Sequence, residues 1–362
     1  MEEPIYSPLD EMPFDEVLTA LLDEDSILDP LYLYRLSDIS QENLSDLARI
    51  WGEILVERRR ALIEDMEQLI GDNSLLSFEG IFRLALKDED DQVRFFTTRA
   101  IEIFDTDDLI PYFLTVLDQD ESVDVRAVTT SILGKYIYRG ELDKISSKLK
   151  KKIENKLLTI LDSEEPEEIR RRSLEAISYS SRDEVKEHIL QAYASDLEEW
   201  VASAIFAMGR SLDPDYGDMI CDRLDHTSPQ VRLEAVRACG ELTLEEALPI
   251  ILDLLDDLPD IREAAIFTLS QIGGEDAGPA LQGLLNDEVS DDEADLIQGA
   301  LERLDLLEDG VNMSIFDSPF EDGEELILDD YDYQQDGYDD DGFDDDDIGM
   351  ENFDLDDDYW ME

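Results

Sequence analysis

Two histidines and two cysteines in 362 residues leave this chain almost without the usual catalytic and metal-binding side chains. His188 and His226 stand apart from any cysteine cluster, so no structural zinc site is expected. Cys221 and Cys239 give no disulfide framework. No GxGxxG or GxxxxGK(S/T) glycine pattern is present to cradle a phosphate, and no GxSxG elbow is present to present a nucleophile. Acidic pairs are so frequent that none stands out as a glycosidase dyad. The string "DYQQDGYDDDGF" at 332–343 opens like a calcium loop at Asp332, Gln334, Asp336 and Gly337. Phe343 stands where that loop needs a bidentate Glu, so diffuse cation association is the expectation. No catalytic, cofactor-binding or metal-binding residue is predicted, and the chain reads as non-enzymatic.

Positive charge is scarce as well. There are 29 Lys+Arg against 95 Asp+Glu, a formal charge of −66. Such a surface repels DNA, RNA and anionic lipid, because phosphate binding needs cations that replace counterions. It favours protein partners with a basic surface. No apolar run approaches the ~18 residues of a membrane span. The opening "MEEPIYSPLDEMPF" has neither a basic n-region nor an apolar core, which argues against a secretory signal. A cytoplasmic location is expected.

What the chain has in abundance is repetition. "TSPQVRLEAVRACGEL" (227–242) reads as a helix with Ser228 as cap and Pro229 in the first turn. Similar stretches recur. With Val231 as the anchor, equivalent positions are Val93, Val125, Ile169, Trp200, Ile261 and the degenerate Glu293, spaced 32, 44, 31, 31, 30 and 32 residues apart. Eight positions on, every copy is apolar: Ile101, Leu133, Ile177, Met208, Cys239, Leu269 and Leu301. Cys239 therefore reads as a core residue. Nine positions on, five copies carry Gly or Ser: Gly134, Ser178, Gly209, Gly240 and Ser270. Small residues on one helical face let a neighbouring helix approach closely. Eighteen positions on, Pro111, Pro249 and Pro279 mark the first turn of a second helix. Two helices per period of about 31 residues, none able to bury its apolar face alone, predict an all-α solenoid of stacked antiparallel helix pairs.

On these residues the chain resembles the HEAT-repeat superfamily, an armadillo-like architecture, and specifically the short repeats named after phycobilisome lyases. "DHTSPQVRLEA" and "DDLPDIREAA" carry the pattern best. The resemblance implies that Arg94, Arg126, Arg170, Arg232 and Arg262 occupy a basic position that links neighbouring repeats through an acidic partner. Val201 and Ala294 stand there in two copies, whose junctions should lack the link. The pattern is specific for fold and nearly silent on function.

Four segments are expected. Residues 1–30 form an acidic, partly disordered N-terminal segment. Residues 31–75 are helical but outside the repeat register, and read as a cap on the first repeat. Residues 76–307 are the solenoid. From 308 to 362 there are 24 Asp+Glu and no Lys or Arg, the composition of a disordered tail. Nine aromatic rings punctuate that tail, among them Tyr331, Tyr333, Tyr338, Phe343 and Trp360. Acid interleaved with aromatic suits a binding arm; a purely solubilising tail is the plainer reading.

One window is basic. Lys144, Lys148, Lys150, Lys151, Lys152, Lys156, Arg170, Arg171 and Arg172 all fall within 144–172. It coincides with the long spacing of 44 residues, so the extra sequence is expected to extend the second helix or its approach. The window reads either as a solvated helix face or as a docking patch for an acidic segment. The function predicted from all this is a protein–protein interaction scaffold with an acidic arm. Two rival readings are an acidic chaperone or nucleic-acid mimic for a basic protein, and a bilin-lyase-like modifying role that only the repeat resemblance suggests.

Overall fold

The computed structural model describes residues 12–104, 106–286 and 289–308. Eighteen α-helices occur there in chain order. The first four are α1 (Phe14–Leu22), α2 (Pro30–Arg35), α3 (Gln41–Ile50) and α4 (Val56–Asp72). Next come α5 (Glu79–Ala85), α6 (Asp91–Ala100), α7 (Ile110–Gln119), α8 (Val123–Glu141) and α9 (Ser147–Leu161). They are followed by α10 (Glu167–Ile177), α11 (Asp183–Tyr193), α12 (Glu198–Arg210), α13 (Gly217–Cys221) and α14 (Pro229–Glu241). The last four are α15 (Leu248–Asp253), α16 (Pro259–Ile272), α17 (Ala277–Leu284) and α18 (Asp291–Glu308).

The helices stack in two rows. In one, α4, α6, α8, α10, α12, α14, α16 and α18 each pack on the next. The odd-numbered helices from α5 to α17 lie against this row, each wedged against the even-numbered helix that follows it. The fold is an α-solenoid, and one hydrophobic core runs through it from Phe14 to Leu304. The anchors Val93, Val125, Ile169, Val231 and Ile261 are all buried, as are Ile101, Leu133, Ile177, Met208, Cys239 and Leu269 eight positions later. Pro111 and Pro249 sit in the first turn of α7 and α15, where a missing N–H costs nothing.

The glycines nine positions after the anchor do close a helix contact, each in its own way. A Cβ on Gly134 would lie 3.0 Å from the Ala176 Cα. On Gly209 it would meet the Glu241 carboxylate and Ala238, and on Gly240 the Gln271 amide and Thr268. In those two units the glycine makes room for a polar side chain of the next repeat.

The turn between the two helices of a unit also recurs. Asp143 (φ 58°), Leu212 (φ 52°) and Thr243 (φ 48°) each stand two residues past the end of an even-numbered helix, in the left-handed region. The amide of the following residue closes the turn by donating back into the helix, Lys144 N to Arg139 O at 2.8 Å and Leu244 N to Cys239 O at 3.0 Å. Helices commonly end this way, but with glycine. Among the described residues, only the α16–α17 turn uses it, at Gly273.

Two expectations need correction. The extra residues of the long unit were expected to extend its second helix or the approach to it; they lengthen both of its helices, the first more than the second. α8 has 19 residues and α9 15, against 11 each in α10 and α11. Ser228 does hold the N-cap position of α14, yet its side chain makes no capping bond. At the N-terminus, α1 buries Phe14, Val17 and Leu21, and Arg58 of α4 donates to the Ala20 carbonyl at the helix's end. The calcium-like string and the tail residues Tyr331, Tyr333, Tyr338, Phe343 and Trp360 lie outside the described residues.

Candidate interaction surface

The even-numbered helices run in one direction, so their N-termini and the loops before them line one rim. The junction arginines lie just inside it. Arg232, in the first turn of α14, donates from Nε and Nη2 to the two carboxylate oxygens of Asp257, both at 2.8 Å. Its Nη1 turns back to the carbonyls of His226 (2.8 Å) and Thr227 (3.3 Å) in the loop that precedes its own helix. Arg94 repeats this pattern. Its fork meets Asp120 at 2.8 Å twice, and its Nη1 reaches the carbonyls of Asp88 and Glu89, both at 3.0 Å. One guanidinium thus ties its own loop to the next one. The receiving carboxylate also fixes the following turn, since Asp120 accepts from Ser122 N and Asp257 from Leu258 N. The Arg232 guanidinium holds the Asp257 carboxyl below the usual carboxylate range. Arg126 pairs with Glu165 at 2.6 Å and Arg262 with Glu293 at 2.5 Å.

Arg170 departs from the expectation. It makes no ion pair with any described residue; it stacks over the Trp200 ring, 5.4 Å from the centroid, and its Nε donates to the Leu161 carbonyl at 3.3 Å. The next loop differs. Two residues before the N-cap, where Asp120 stands in one unit, the loop before α12 has Ser195, whose hydroxyl accepts from Leu197 N. Asp196 stands where Asp257 and Glu165 do, one residue before the cap, but does not pair with Arg170, and the cation lies on the indole that replaces the usual Val or Ile anchor.

Val201 was expected to leave its junction without the link, and it makes none. The loop it faces has changed with it: His226 Nδ1 accepts from Ser228 N at 3.1 Å, in the role Asp120 plays for Ser122. The α12–α14 junction is tied elsewhere. Arg210 at the far end of α12 pairs with Glu241 of α14 at 3.1 Å. Burial pushes the Glu241 carboxyl above its ordinary range, against the pull of Arg210.

Sequence reasoning missed one member of the ladder. Arg59, in the segment read as a cap, donates to the carbonyls of Trp51 (3.3 Å) and Ile54 (2.8 Å) before its own helix and pairs with Asp88 ahead of α6. Asp88 in turn accepts from Asp90 N. Trp51 Nε1 adds a 2.6 Å bond to the same carboxylate. This is the Arg94 arrangement one unit earlier. The signal was present in "KDEDDQV", whose Asp88 stands two residues before the N-cap Asp90.

With the arginines drawn inward, the outer rim is left to unpaired acids. Glu89 and Asp91, Glu121 and Asp124, Glu164 and Glu167, Glu198 and Glu199, Asp256 and Asp260, and Asp291 and Asp292 are exposed at the starts of α6, α8, α10, α12, α16 and α18, whereas α14 starts with Thr227, Ser228, Pro229 and Gln230. Acids are tolerated there because they face the positive end of each helix dipole.

The nine basic residues of 144–172 do not form one patch. Lys150 pairs with Glu141 at 2.8 Å and Lys156 with Asp118. Arg171 lies 4.0 Å from Glu175, Arg172 is buried and 3.0 Å from Glu175, and Arg170 stacks on Trp200. Lys144, Lys148, Lys151 and Lys152 remain exposed, the last three on the outer face of α9.

Cys239 is fully buried in α14, and its hydrogen bond with the neighbouring Cys221 thiol, together with burial, raises its pKa. Among the described residues, no cluster of His, Cys, Asp or Glu could hold a metal, and no helix is long and apolar enough to cross a membrane.

Residues 217–302 match the family described as HEAT repeats. No curated protein sequence matches the chain. Among solved structures, it is similar to the CpcE–CpcF complex of phycocyanin lyase from Nostoc at 17% identity and a TM-score of 0.42, covering 62% of this chain and 94% of that one. YibA of E. coli is 15% identical, with a TM-score of 0.41 and coverage of 78% and 99%. Yeast importin-beta is 14% identical, with a TM-score of 0.48 and coverage of 82% and 47%. Residues 217–302 are thus HEAT repeats, and the junction pairs at Arg59, Arg94, Arg126, Arg232 and Arg262 carry the same solenoid architecture along the described chain.

Proposed function

We propose that the chain is a non-enzymatic, cytoplasmic scaffold that binds a protein partner with a basic surface. The observation that carries this reading is the outer rim. Arg94, Arg126, Arg232 and Arg262 are each spent on one carboxylate inside the array, which leaves further exposed acids at the starts of α6, α8, α10, α12, α16 and α18, about 10 Å apart where the helices are neighbours at ordinary packing distances. A row of like charge at regular spacing suits an extended basic surface and repels nucleic acid. The acidic segment beyond residue 308, rich in aromatics, extends the same chemistry. Solvated acids along a rim steer association and set specificity more than they add affinity, so the complex is expected to be salt-sensitive.

The experiment is capture from the source cell on the immobilised full chain, followed by reconstitution of each recovered complex from purified components. A binary, stoichiometric complex with a basic protein supports the proposal. Recovery of acidic or nucleic-acid partners, or of a bound chromophore with turnover, contradicts it.

A further inference from the structure

The rim and tail make most of this molecule repellent to acidic chains, but α9 is an exception. Six of the nine lysines in the sequence fall between Lys144 and Lys156. Lys148, Lys151 and Lys152 recur at helical spacing on the exposed face of α9, and Lys144 is exposed in the turn before it. The only acid within α9, Glu154, is buried and accepts from Ser180 at 2.7 Å. On the packed neighbours, Asp118 of α7 is engaged by Lys156 and Glu141 of α8 by Lys150, while the unpaired Asp124 and Glu167 stand at the N-terminal ends of α8 and α10. Asp143, exposed in the preceding turn, is the nearest free carboxylate in sequence. The four lysines therefore have no ion-pair partner among the described residues, in a chain of net charge −66.

We propose that this lysine face is the docking site of the chain's own acidic segment 329–347. That segment holds eleven aspartates and no base, with Tyr331, Tyr333, Tyr338 and Phe343 among them. Reach permits the contact. The last described helix ends at Glu308, and α9 lies about four units back along the stack, on the order of 40–50 Å at usual helix spacings. Twenty residues of extended chain already cover about 65 Å. Tethering supplies an effective concentration on the order of millimolar, which a separate acidic protein does not reach. Repulsion from the acidic rim disfavours other resting places along the array. Leu142, 40% exposed and two residues from Lys144, offers the aromatics an apolar surface beside the charge. A segment held on α9 is withheld from a basic partner, so the contact competes with partner binding by that arm. The contact itself is intramolecular, and its test stands apart from the identity of any partner.

The test is carbodiimide cross-linking of the full-length protein, read by mass spectrometry. At about 0.01 M salt, where screening extends to ~30 Å, cross-links from Lys144, Lys148, Lys151 and Lys152 to residues 329–347 are expected in the monomer. At about 1 M salt, with screening within ~3 Å, they should fall about tenfold. In the variant Lys148→Glu, Lys151→Glu, Lys152→Glu, the Lys144 cross-link serves as reporter and should fall by a similar factor. Cross-links spread equally over Lys87 and Lys186, an unchanged Lys144 signal in the variant, or no tail cross-links at low salt would overturn the proposal. Cross-links confined to a dimer would overturn it too, by assigning the face to the tail of a second copy.

Discussion

Arg232 and Asp257 meet through two parallel bonds of 2.8 Å, and Arg94 and Asp120 meet through the same two bonds at the same distance, 138 residues earlier in the chain. A bidentate pair so placed joins consecutive repeats at one point. Charge-assisted hydrogen bonds contribute ~1.5–3 kcal/mol, and partial exposure lowers that figure here. Double-mutant cycles on Arg94/Asp120 and Arg232/Asp257 should therefore give coupling energies of about 1–2 kcal/mol. The stacked pair Arg170/Trp200 should give about 0.5–1 kcal/mol, with little salt dependence. Equal couplings at all three junctions would contradict the difference in geometry.

The repeat register was legible because burial imposes it. Val93, Val125, Ile169, Val231 and Ile261 must be apolar to fill one core, so they recur visibly. The junction ladder was only half legible. The arginine position could be read, but its partner could not, because the acid that receives it moves: Asp88 and Asp120 stand two residues before the next N-cap, Asp257 and Glu165 one before it, Glu293 within the helix, and Arg170 takes an indole instead. Such a pairing spans about 30 residues and leaves no periodic signature within one window. The tie between Arg210 and Glu241 was missed for a related reason. In this acid-rich chain no single Glu stands out until Gly209 is seen to open space for it.

Backbone strain in the repeated turn gives a second prediction. Leu212 and Thr243 hold positive φ without glycine's freedom, at ~1–2 kcal/mol for a left-handed L-residue. Thr243→Gly should stabilise the array by about 1 kcal/mol, less the entropy that glycine adds to the unfolded chain. Thermal melting would show it as a rise of a few degrees. Gly273→Ala, at φ 78° with open space around it, should lower the melting point.

Packing at Gly240 gives a third. A side chain there must displace Gln271 and press on Thr268 in the next repeat. Gly240→Leu should cost at least the ~1–3 kcal/mol typical of overpacking, read by denaturant titration. Gly299→Leu, with nothing within 4 Å of its Cβ position, should cost much less.

Acid should first stabilise this protein and then unfold it. Burial raises the Glu241, Glu64 and Asp65 carboxyls. Groups whose folded pKa is raised take up protons preferentially in the folded state, so lowering the pH from neutrality removes a penalty and stability rises. Asp257 and Asp90 are depressed, chiefly by their bonds from Arg232 and Arg60. Their contribution is complete above the unfolded pKa, about 3.9, and disappears as the pH falls through their lower folded values. The melting temperature should pass through a maximum near pH ~5 and fall below about pH 4. In Asp257→Asn the acid limb of that curve should be shallower.

The central claim is that acidic charge on the rim and aromatic rings in the arm together recognise a basic protein. The direct measurement is calorimetric titration of the captured basic partner into three full-length proteins. One is the wild type. One carries Glu121→Gln, Asp124→Asn, Glu198→Gln and Glu199→Gln on the rim. One carries Ser in place of Tyr331, Tyr333, Tyr338, Phe343 and Trp360. Each ring that finds an apolar or cationic site contributes ~0.5–2 kcal/mol, so the Ser variant should bind at least tenfold more weakly. The rim variant should bind more weakly and lose part of the wild type's salt dependence. Binding unchanged in both variants would contradict the account.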